Sequence, residues 1–445
     1  MRVIGMNKQK FGMILPIILI SYFMILLDNS IVFTSTVKIA ADLSLSASEL
    51  SWVTNAYALT FGGLLMIGGR SGDIFGRRNV FLIGLVIFSI GSLLVGLSTN
   101  GLMIIAMRAL QGIGSAILAP TTLALLMDSY RDQMRTRAIV YYGATGGLGA
   151  SIGLVVGGLI ASYASWRWGF LLNVPVGILM IVLTLKYIPA SKKVEGKLDW
   201  LGSILSVLGI TALVYGINGA SHPVPMVMTG ILLLILFVWQ EKVSKHPITP
   251  LKLFKDRERS SAYIARFFFL GAMISYFFLT PQAMQQVYHF TPLMAAVGFL
   301  PETLPQFVFA TLVSRLNEKF TNTQILIAGT VITLAGLVFA AVVGIQAGYW
   351  WSVAIPMVII GIGQGFTLSP LTVAGVANTD REIAGSASGV VNMVHQIGSS
   401  VGLSIITALT ANLISPVLSY DHAIIIMAVF MLISVGATLN IGLKK

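Results

Sequence analysis

The chain has 445 residues, of which 56% are hydrophobic and only 10% are charged. Soluble domains carry about 25% charged residues, so this composition excludes an ordinary water-soluble globular protein. The chain has no cysteine, which excludes disulfides, thiolate metal sites and cysteine nucleophiles, while the formal net charge of +12 depends for its meaning on where the basic residues lie.

Apolar runs of a length suited to crossing a bilayer recur along the whole chain. One membrane helix needs about 20 mostly apolar residues, and fourteen runs come close to or exceed that length. We therefore predict an all-α membrane protein with fourteen transmembrane helices. The predicted spans are residues 11–36, 50–69, 79–98, 101–126, 138–161, 168–188, 200–219, 225–240, 261–284, 293–313, 324–343, 351–372, 386–412 and 421–441.

The basic residues lie in alternate connections between these spans. Apart from Lys38, Arg108 and Arg167, all of the 28 Lys and Arg residues fall in segments that share one side of the membrane with the N-terminus, and residues 242–266 form the most basic such segment. Cytoplasmic segments are enriched in Lys and Arg, so this pattern predicts that both termini are cytoplasmic. The positive balance is then a topology signal, and we expect no nucleic-acid partner.

The chain also resembles two copies of one unit. The connection at residues 69–76 is weakly similar in sequence to residues 314–321. Two six-helix halves, 11–188 and 261–441, would then flank an inserted segment, 189–260, which carries two helices and cytoplasmic loops. Repeats packed around a site near the membrane midplane are the architecture of many secondary transporters.

Two charged residues, Asp28 and Arg108, lie inside the first and fourth predicted spans. A charged side chain at the centre of a membrane helix costs roughly 3 kcal/mol on insertion scales, so such residues usually face a cavity or a partner and have a function. Counting along the two helices places both residues in the outer half of the membrane, at depths that permit a direct or water-mediated pair. The pair is either static or one in which Arg108 controls proton release from Asp28.

The connection between the second and third spans, residues 69–78, combines glycine with charge in the sequence GRSGDIFGRR. Its glycines allow a tight turn and close helix approach, and Asp73 can cap the next helix or pair with an arginine of a neighbouring helix. Such a contact would latch the two halves on the cytoplasmic side, whereas the simpler alternative is a turn with topology-determining charge. The candidate gating residues are Gly69, Asp73, Gly76, Arg77 and Arg78.

The fifth span repeats glycine every four residues, at Gly149, Gly153 and Gly157, and continues with Gly158. This spacing lets a neighbouring helix approach closely, as in small-xxx-small packing. The same stretch matches the G-x-S-x-G pattern of hydrolases, but it lies within an apolar helix and not on a strand-to-helix turn. With no phosphate-binding loop and no metal-binding motif in the sequence, we predict a gradient-driven transporter without a cofactor, and not an enzyme.

A second intramembrane acid, Glu302, lies between Pro301 and Pro305 near the middle of the tenth predicted span. Prolines four residues apart remove two backbone donors and predict a kink. A carboxylate on a kinked helix near the midplane is a candidate for solute binding, and the alternative is a protonated acid held by hydrogen bonds. His395, in the thirteenth span, is more typical of a packed core residue than of a functional one.

Together these residues resemble the major facilitator superfamily and, within it, the fourteen-helix drug:proton antiporters, the QacA-like multidrug exporters. Asp28 matches the first-helix L-D-x-[TS]-I-V signature of that family. Further matches are residues 69–78 to the superfamily loop motif, 108–114 to the fourth-helix arginine motif, 149–158 to the fifth-helix antiporter motif, 166–177 to the start of the sixth helix, 199–202 to the start of the inserted pair and 385–402 to the thirteenth helix.

Three positions depart from the family pattern. Leu154 stands where the fifth-helix motif has proline, Ser71 where the loop motif has leucine, and Phe33 where the first-helix signature continues with asparagine. None of these departures removes a charge, and the first implies a less bent fifth helix.

The resemblance implies a plasma-membrane exporter of hydrophobic, cationic or zwitterionic drugs that works by alternating access and is driven by proton entry. Asp28 would be the proton-coupling acid, Arg108 would favour its ionised form, and Glu302, Tyr57 and Gln111 would contact the solute. The expected partners are protons, small hydrophobic or cationic drugs and membrane lipid, with no obligate protein partner. The alternatives are proton-coupled uptake of a metabolite by the same fold and a non-transporting membrane sensor.

Overall fold

The computed structural model describes residues 11–190, 198–244, 247–379, 384–413 and 415–442. Over these residues it contains helices and no β-strand, and 14 of the helices are long and apolar enough to cross a membrane. The predicted number of spans is therefore confirmed. The spans are α1 Ile14–Leu43, α2 Ala47–Phe75, α3 Arg77–Gly96, α4 Gly101–Ser129, α5 Asp132–Tyr163, α6 Arg167–Tyr187, α7 Trp200–Ile217, α8 Pro223–Val243, α9 Arg257–Val287, α10 Pro292–Leu316, α11 Asn322–Val343, α12 Trp350–Gly375, α13 Ala384–Thr410 and α14 Pro416–Gly442.

Several helices extend beyond their apolar runs because polar caps determine where they begin. The side chains of Ser46 and Glu49 form a capping box at the start of α2. At the start of α9 the Asp256 side chain accepts a hydrogen bond from the backbone N–H of Arg259 (2.9 Å). This early start places Arg259 and Arg266 inside α9, where both are buried. The expectation that they lie in a loop is therefore wrong, while their cytoplasmic side remains a prediction.

Helices α1–α6 pack mainly with one another, through the pairs α2–α4, α1–α5, α3–α4 and α3–α6. Helices α9–α14 form a second group, through α9–α14, α11–α12 and α10–α12. We call these groups the N-terminal half and the C-terminal half. The division into domains at residues 188 and 261 remains a prediction. The halves meet where α1 packs on α9, α2 on α13 and α5 on α10.

The inserted pair, α7 and α8, is attached to both halves. Helix α7 packs on α2 and on α13. Directly after α7, the Asn218 amide donates hydrogen bonds to Ser51 Oγ of α2 (2.7 Å) and to Thr407 Oγ1 of α13 (2.8 Å). The backbone carbonyl of Asn218 accepts a third hydrogen bond, from Trp52 Nε1 (2.8 Å). One buried residue, Asn218, therefore ties the inserted pair to the boundary between the two halves.

The outer faces of the helices are covered with large apolar side chains that no protein contact buries. Helix α8 is the extreme case, because only 6% of its most apolar stretch is buried and Leu232, Ile235 and Trp239 are exposed along it. Exposed apolar surface of this extent is unfavourable in water and favourable in contact with lipid.

We call the end that carries residues 70–78, 131–137 and 252–259 the basic end of the bundle.

The predicted topology can be tested with single cysteines, because the natural chain has none. Thr99 lies between α3 and α4 and Glu318 between α10 and α11, and both are exposed. In right-side-out membrane vesicles we expect an impermeant maleimide to label Thr99→Cys at once and Glu318→Cys only after permeabilisation. The cysteine-free chain is the blank, and the reverse pattern would contradict cytoplasmic termini.

Candidate functional site

A cavity of about 1590 Å³ lies between the two halves. It reaches from Asn29 and Tyr57, deep in the N-terminal half, to the exposed side chains of Arg70 and Lys252 at the basic end. Its volume is above the few hundred to about 1,000 Å³ that small-molecule pockets usually occupy. The cavity is therefore large enough for a drug-sized solute and is reached from the basic end.

The opposite end of the bundle is closed by contacts between the halves. The Asn55 amide of α2 donates to Ser404 Oγ of α13 (2.8 Å), and the Leu293 N–H of α10 donates to Ser162 Oγ of α5 (2.9 Å). At the cavity wall, the ring of Phe33 lies against that of Phe277 across α1 and α9. The molecule is thus open at one end and closed at the other.

The predicted pairing of Asp28 with Arg108 is confirmed. The Arg108 guanidinium donates to Asp28 Oδ2 (2.5 Å), and both residues are 0% exposed. The second oxygen, Oδ1, accepts from the side-chain amides of Gln111 (2.7 Å) and Asn173 (3.3 Å). Charge-assisted hydrogen bonds are the strong ones in a protein interior, so the ionised carboxylate is held by three donors from α4 and α6.

Tyr57 separates this buried pair from the cavity. Its ring lines the cavity, and the Arg108 guanidinium lies 4.3 Å from the ring centroid in a cation–π contact. The Tyr57 hydroxyl donates to Ser115 Oγ (2.7 Å) and accepts from the Asn29 amide (3.1 Å). A solute that displaces Tyr57 or Asn29 would therefore disturb the surroundings of Arg108 directly.

The three residues expected to contact solute occupy different places. Tyr57 lines the cavity, whereas Gln111 and Glu302 are fully buried and do not line it. Gln111 instead accepts from Arg108 (2.7 Å) and donates to Asp28. Gln111 thus belongs to the surroundings of the acid, a position that its place in the sequence does not reveal.

Glu302 lies one hydrogen bond behind the cavity wall. Its Oε1 accepts from the Gln364 amide (2.6 Å), while its Oε2 has no partner among the described residues. Gln364 lines the cavity beside Gln306. The kink predicted for this span occurs as a break between Val297 and Leu300, which leaves Glu302 in the first turn of a new helical segment. Pro301 then stands where no backbone donor is needed.

The connection between α2 and α3 forms a charged cluster within the N-terminal half. Arg77 contacts Asp73 (3.0 Å) and Asp128 of α4 (2.6 Å), and it also donates to the Ala124 carbonyl. The structure therefore shows Asp73 pairing with an arginine and not capping α3. Gly76 has a φ of +93°, a conformation that side chains rarely adopt, so this turn requires glycine.

The glycines of α5 meet two different neighbours. A Cβ atom at Gly149 would lie 2.8 Å from Leu26 Cδ1, one at Gly153 2.7 Å from Ser30 Cβ, and one at Gly157 2.8 Å from Ile31 Cα, all on α1. A Cβ atom at Gly158 would lie 2.9 Å from the Pro292 carbonyl oxygen of α10, in the other half. The glycine face therefore brings α1, the helix of Asp28, against α5.

Sequence reasoning gave no role to several polar residues of the site. Asn29, Ser115 and Asn173 complete the surroundings of Asp28 and Tyr57, and Gln364 connects Glu302 to the cavity. Each is an amide or hydroxyl inside an apolar span, and buried polar groups need partners. An amide or hydroxyl inside a membrane span could therefore have indicated a site residue, although the sequence does not say which partner each one has.

Residues 18–403 match the family model of the Major Facilitator Superfamily. The uncharacterized MFS-type transporter EfpA of Mycobacterium tuberculosis is 32% identical over 395 residues, which cover 86% of this chain and 74% of EfpA. The cephamycin export protein CmcT of Amycolatopsis lactamdurans is 31% identical over 434 residues (93% and 88% covered). The puromycin resistance protein pur8 of Streptomyces alboniger is 30% identical over 420 residues (92% and 83% covered).

Solved structures share the fold at low sequence identity. A bacterial homologue of the human lysosomal transporter Spinster, inward-facing and unoccupied, superposes with a TM-score of 0.70 at 14% identity, covering 98% of this chain and 97% of that one. The POT family transporter PepTSo gives a TM-score of 0.70 at 15% identity, with 98% of both chains covered. At such identities the likeness concerns the fold alone.

The buried pair predicts a rescue between two substitutions. Arg108→Gln leaves the Asp28 carboxylate buried without a cation, which typically costs about 3–5 kcal/mol. Adding Asp28→Asn removes that charge, so the double variant should regain most of the lost stability. Thermal unfolding in detergent would measure this, and a double variant less stable than Arg108→Gln alone would contradict the pairing.

The packing of α5 predicts a position-specific steric effect. Gly157→Leu places a side chain against the α1 backbone, and overpacking of this kind typically costs about 1–3 kcal/mol. Gly143→Leu on the same helix is the matched control, because nothing lies within 4 Å of a Cβ atom there. Thermal unfolding of the two variants should differ clearly, and equal melting temperatures would show that α1 and α5 are not in close contact.

Proposed function

Because the chain belongs to the Major Facilitator Superfamily, we propose that it exports small hydrophobic drugs or antibiotics in exchange for protons, by alternating access. It is a multi-pass transporter of the cell membrane and not an enzyme. The observation that carries the proposal is the Asp28–Arg108 pair, which is buried directly behind the cavity wall. The relatives named for cephamycin export and puromycin resistance support drugs as the solute class.

The coupling would operate through the charge of Asp28. When Asp28 is ionised, it holds Arg108 through the 2.5 Å contact and the pair is neutral. When a proton neutralises the carboxylate, Arg108 loses its counter-charge in a low-dielectric site, and the local arrangement changes in free energy. Because the Tyr57 ring contacts both Arg108 and the cavity, the protonation state and solute occupancy would influence each other through Tyr57.

The membrane potential supplies enough energy for this exchange. One elementary charge crossing the membrane gains about 2.3 kcal/mol per 100 mV. Since each 1.4 kcal/mol is a factor of ten in an equilibrium, one proton would sustain roughly a forty-fold solute gradient. Export against a gradient of that size needs no nucleotide hydrolysis.

Alternating access requires that the closed end open while the basic end closes. The contacts to be broken are those of Asn55 with Ser404, of Ser162 with Leu293, and of Asn218 with Thr407. The partners of Asp73 and Arg77 in the described chain all lie in the N-terminal half. We therefore assign the proposed latch between halves, formed by the 69–78 connection, to the state in which the basic end is closed.

Glu302 would act on the solute through Gln364. Because the Gln364 amide nitrogen donates to Glu302, its carbonyl oxygen points the other way, toward Gln306 and the cavity. Glu302 would therefore fix which face of the amide the solute meets. Direct solute binding by Glu302 would require movement of Gln364.

The proposal is tested by proton release from inverted membrane vesicles that hold a pH-sensitive dye and an imposed proton gradient. A panel of cationic and zwitterionic drugs should release protons with the natural chain, whereas Asp28→Asn should reduce the initial rate at least about tenfold. Asparagine keeps an oxygen acceptor for Arg108 but leaves its charge uncompensated, so rates are compared per amount of folded, membrane-inserted protein. Asp42→Asn is the matched control, because Asp42 lies on the same helix in a half-exposed ion pair, and such pairs contribute little.

The other outcomes separate the alternatives. Full proton release by Asp28→Asn would show that Asp28 is not the coupling site. Proton uptake coupled to metabolite entry would indicate symport. No proton movement with any compound, from correctly inserted protein, would favour a non-transporting sensor.

A further inference from the structure

Among the described residues, the C-terminal half contains a buried cation that has no acidic partner. Arg266 of α9 is 6% exposed, and its guanidinium donates to Thr372 Oγ1 (3.0 Å) and contacts His395 Nδ1 (3.3 Å). Its Nε has no partner, and no carboxylate in the described chain pairs with it. An uncompensated buried charge is costly, which contrasts with Arg108, whose charge Asp28 neutralises.

The contact with Arg266 determines the protonation of His395. A guanidinium can only donate hydrogen bonds, so Nδ1 of His395 must be the acceptor and the ring proton must sit on Nε2. The imidazole is therefore neutral. His395 lines the cavity, and its Nε2 has no hydrogen-bond partner among the described residues. The Nε2–H group is thus a donor available to a solute, with the charge of Arg266 directly behind the ring.

Within the described part of the chain, the acidic side chains do not reach the deep part of the cavity. The acidic side chains that line it, Asp73 and Asp199, lie at the ends of α2 and α7 that face the basic end. The two intramembrane acids, Asp28 and Glu302, stand behind the wall and do not line it. Within the described residues, the wall around His395 is therefore positively charged.

We infer that His395 and Arg266 form an anion-recognition site on the C-terminal wall of the cavity, which takes a carboxylate or a similar oxyanion of the solute. His395 Nε2–H would donate to the anion, and Arg266 would supply the positive charge through the ring. The inference rests on the proposed function, since it takes this cavity to be the solute site. It narrows the solutes to amphipathic molecules with an acidic group, zwitterions included.

The N-terminal wall fits the apolar part of such a molecule. The rings of Tyr22 and Tyr142 stack with centroids 4.1 Å apart, and Tyr57 lies edge-on to Phe61. All four line the cavity. Aromatic faces bind large apolar or aromatic bodies with little loss of side-chain entropy, so the two walls offer complementary surfaces to the two ends of one amphipathic solute.

The test compares two dyes that differ only at one carboxyl group. Rhodamine 110 carries a free carboxylate on its cationic ring system, and rhodamine 123 is its methyl ester. We expect purified protein to bind rhodamine 110 about tenfold more tightly, as measured by fluorescence polarisation, which corresponds to about 1.4 kcal/mol. In Arg266→Gln the ratio should fall to about one, and Arg266→Lys should restore part of it.

Loss of the preference must be separated from loss of folding, so the melting temperature is measured and two further variants, His395→Phe and Arg259→Gln, are compared. Arg266→Gln removes a buried charge that no carboxylate of the described residues compensates, so it should not lower the melting temperature. His395→Phe removes the donor while keeping an aromatic ring, and it should also abolish the preference. Arg259→Gln is the matched control on the same helix, because Arg259 binds backbone carbonyls of residues 377 and 378 and does not line the cavity.

Each outcome decides the inference. Binding of neither dye by the natural chain, equal affinities, or a preference that survives both Arg266→Gln and His395→Phe would overturn the anion site. The antiport proposal is tested separately by proton release. If Asp28→Asn releases protons normally while the carboxylate preference persists, antiport at Asp28 is wrong and the anion site stands.

Discussion

The structure of this transporter depends on one ion pair, Asp28 with Arg108, buried where water cannot compensate either charge. Such a pair is stable only if the remaining hydrogen-bonding groups are satisfied. Gln111 and Asn173 donate to the carboxylate, and the Val53 carbonyl accepts from Arg108 Nε. Four helices, α1, α2, α4 and α6, are therefore held in a fixed relation around a single negative charge.

Close helix packing makes that arrangement possible. The α5 glycines let α1 lie against α5 with almost no side chain between them, while Gly158 extends the same helix to the other half. The charge on Asp28 is thus linked, through backbone-to-backbone contact, to a helix that also touches α10. A change at the pair could therefore move α5, and with it the contact between α5 and α10 at the closed end.

The cavity has two walls of different character. The N-terminal wall carries several aromatic rings and shields a neutralised charge pair. The C-terminal wall includes amides and a neutral histidine, and behind that histidine lies Arg266, which pairs with no acid among the described residues. Selection of solutes by charge would then occur on one half and proton coupling on the other. The inserted pair joins both halves through Asn218 at the closed end, so it takes part in the contact that has to break.

The sequence by itself determined the number of spans and that Asp28 and Arg108 lie at matching depths, because hydrophobic length and a rise of about 1.5 Å per residue depend only on the chain. Only the tertiary structure decided that Gln111 faces Asp28, that Glu302 stands behind Gln364, and that Arg266 lies buried beside His395. Rotation about a helix axis and the choice of neighbouring helix decide which side chains meet. Both result from packing between residues far apart in the chain, and an apolar span with polar groups on several faces does not specify them.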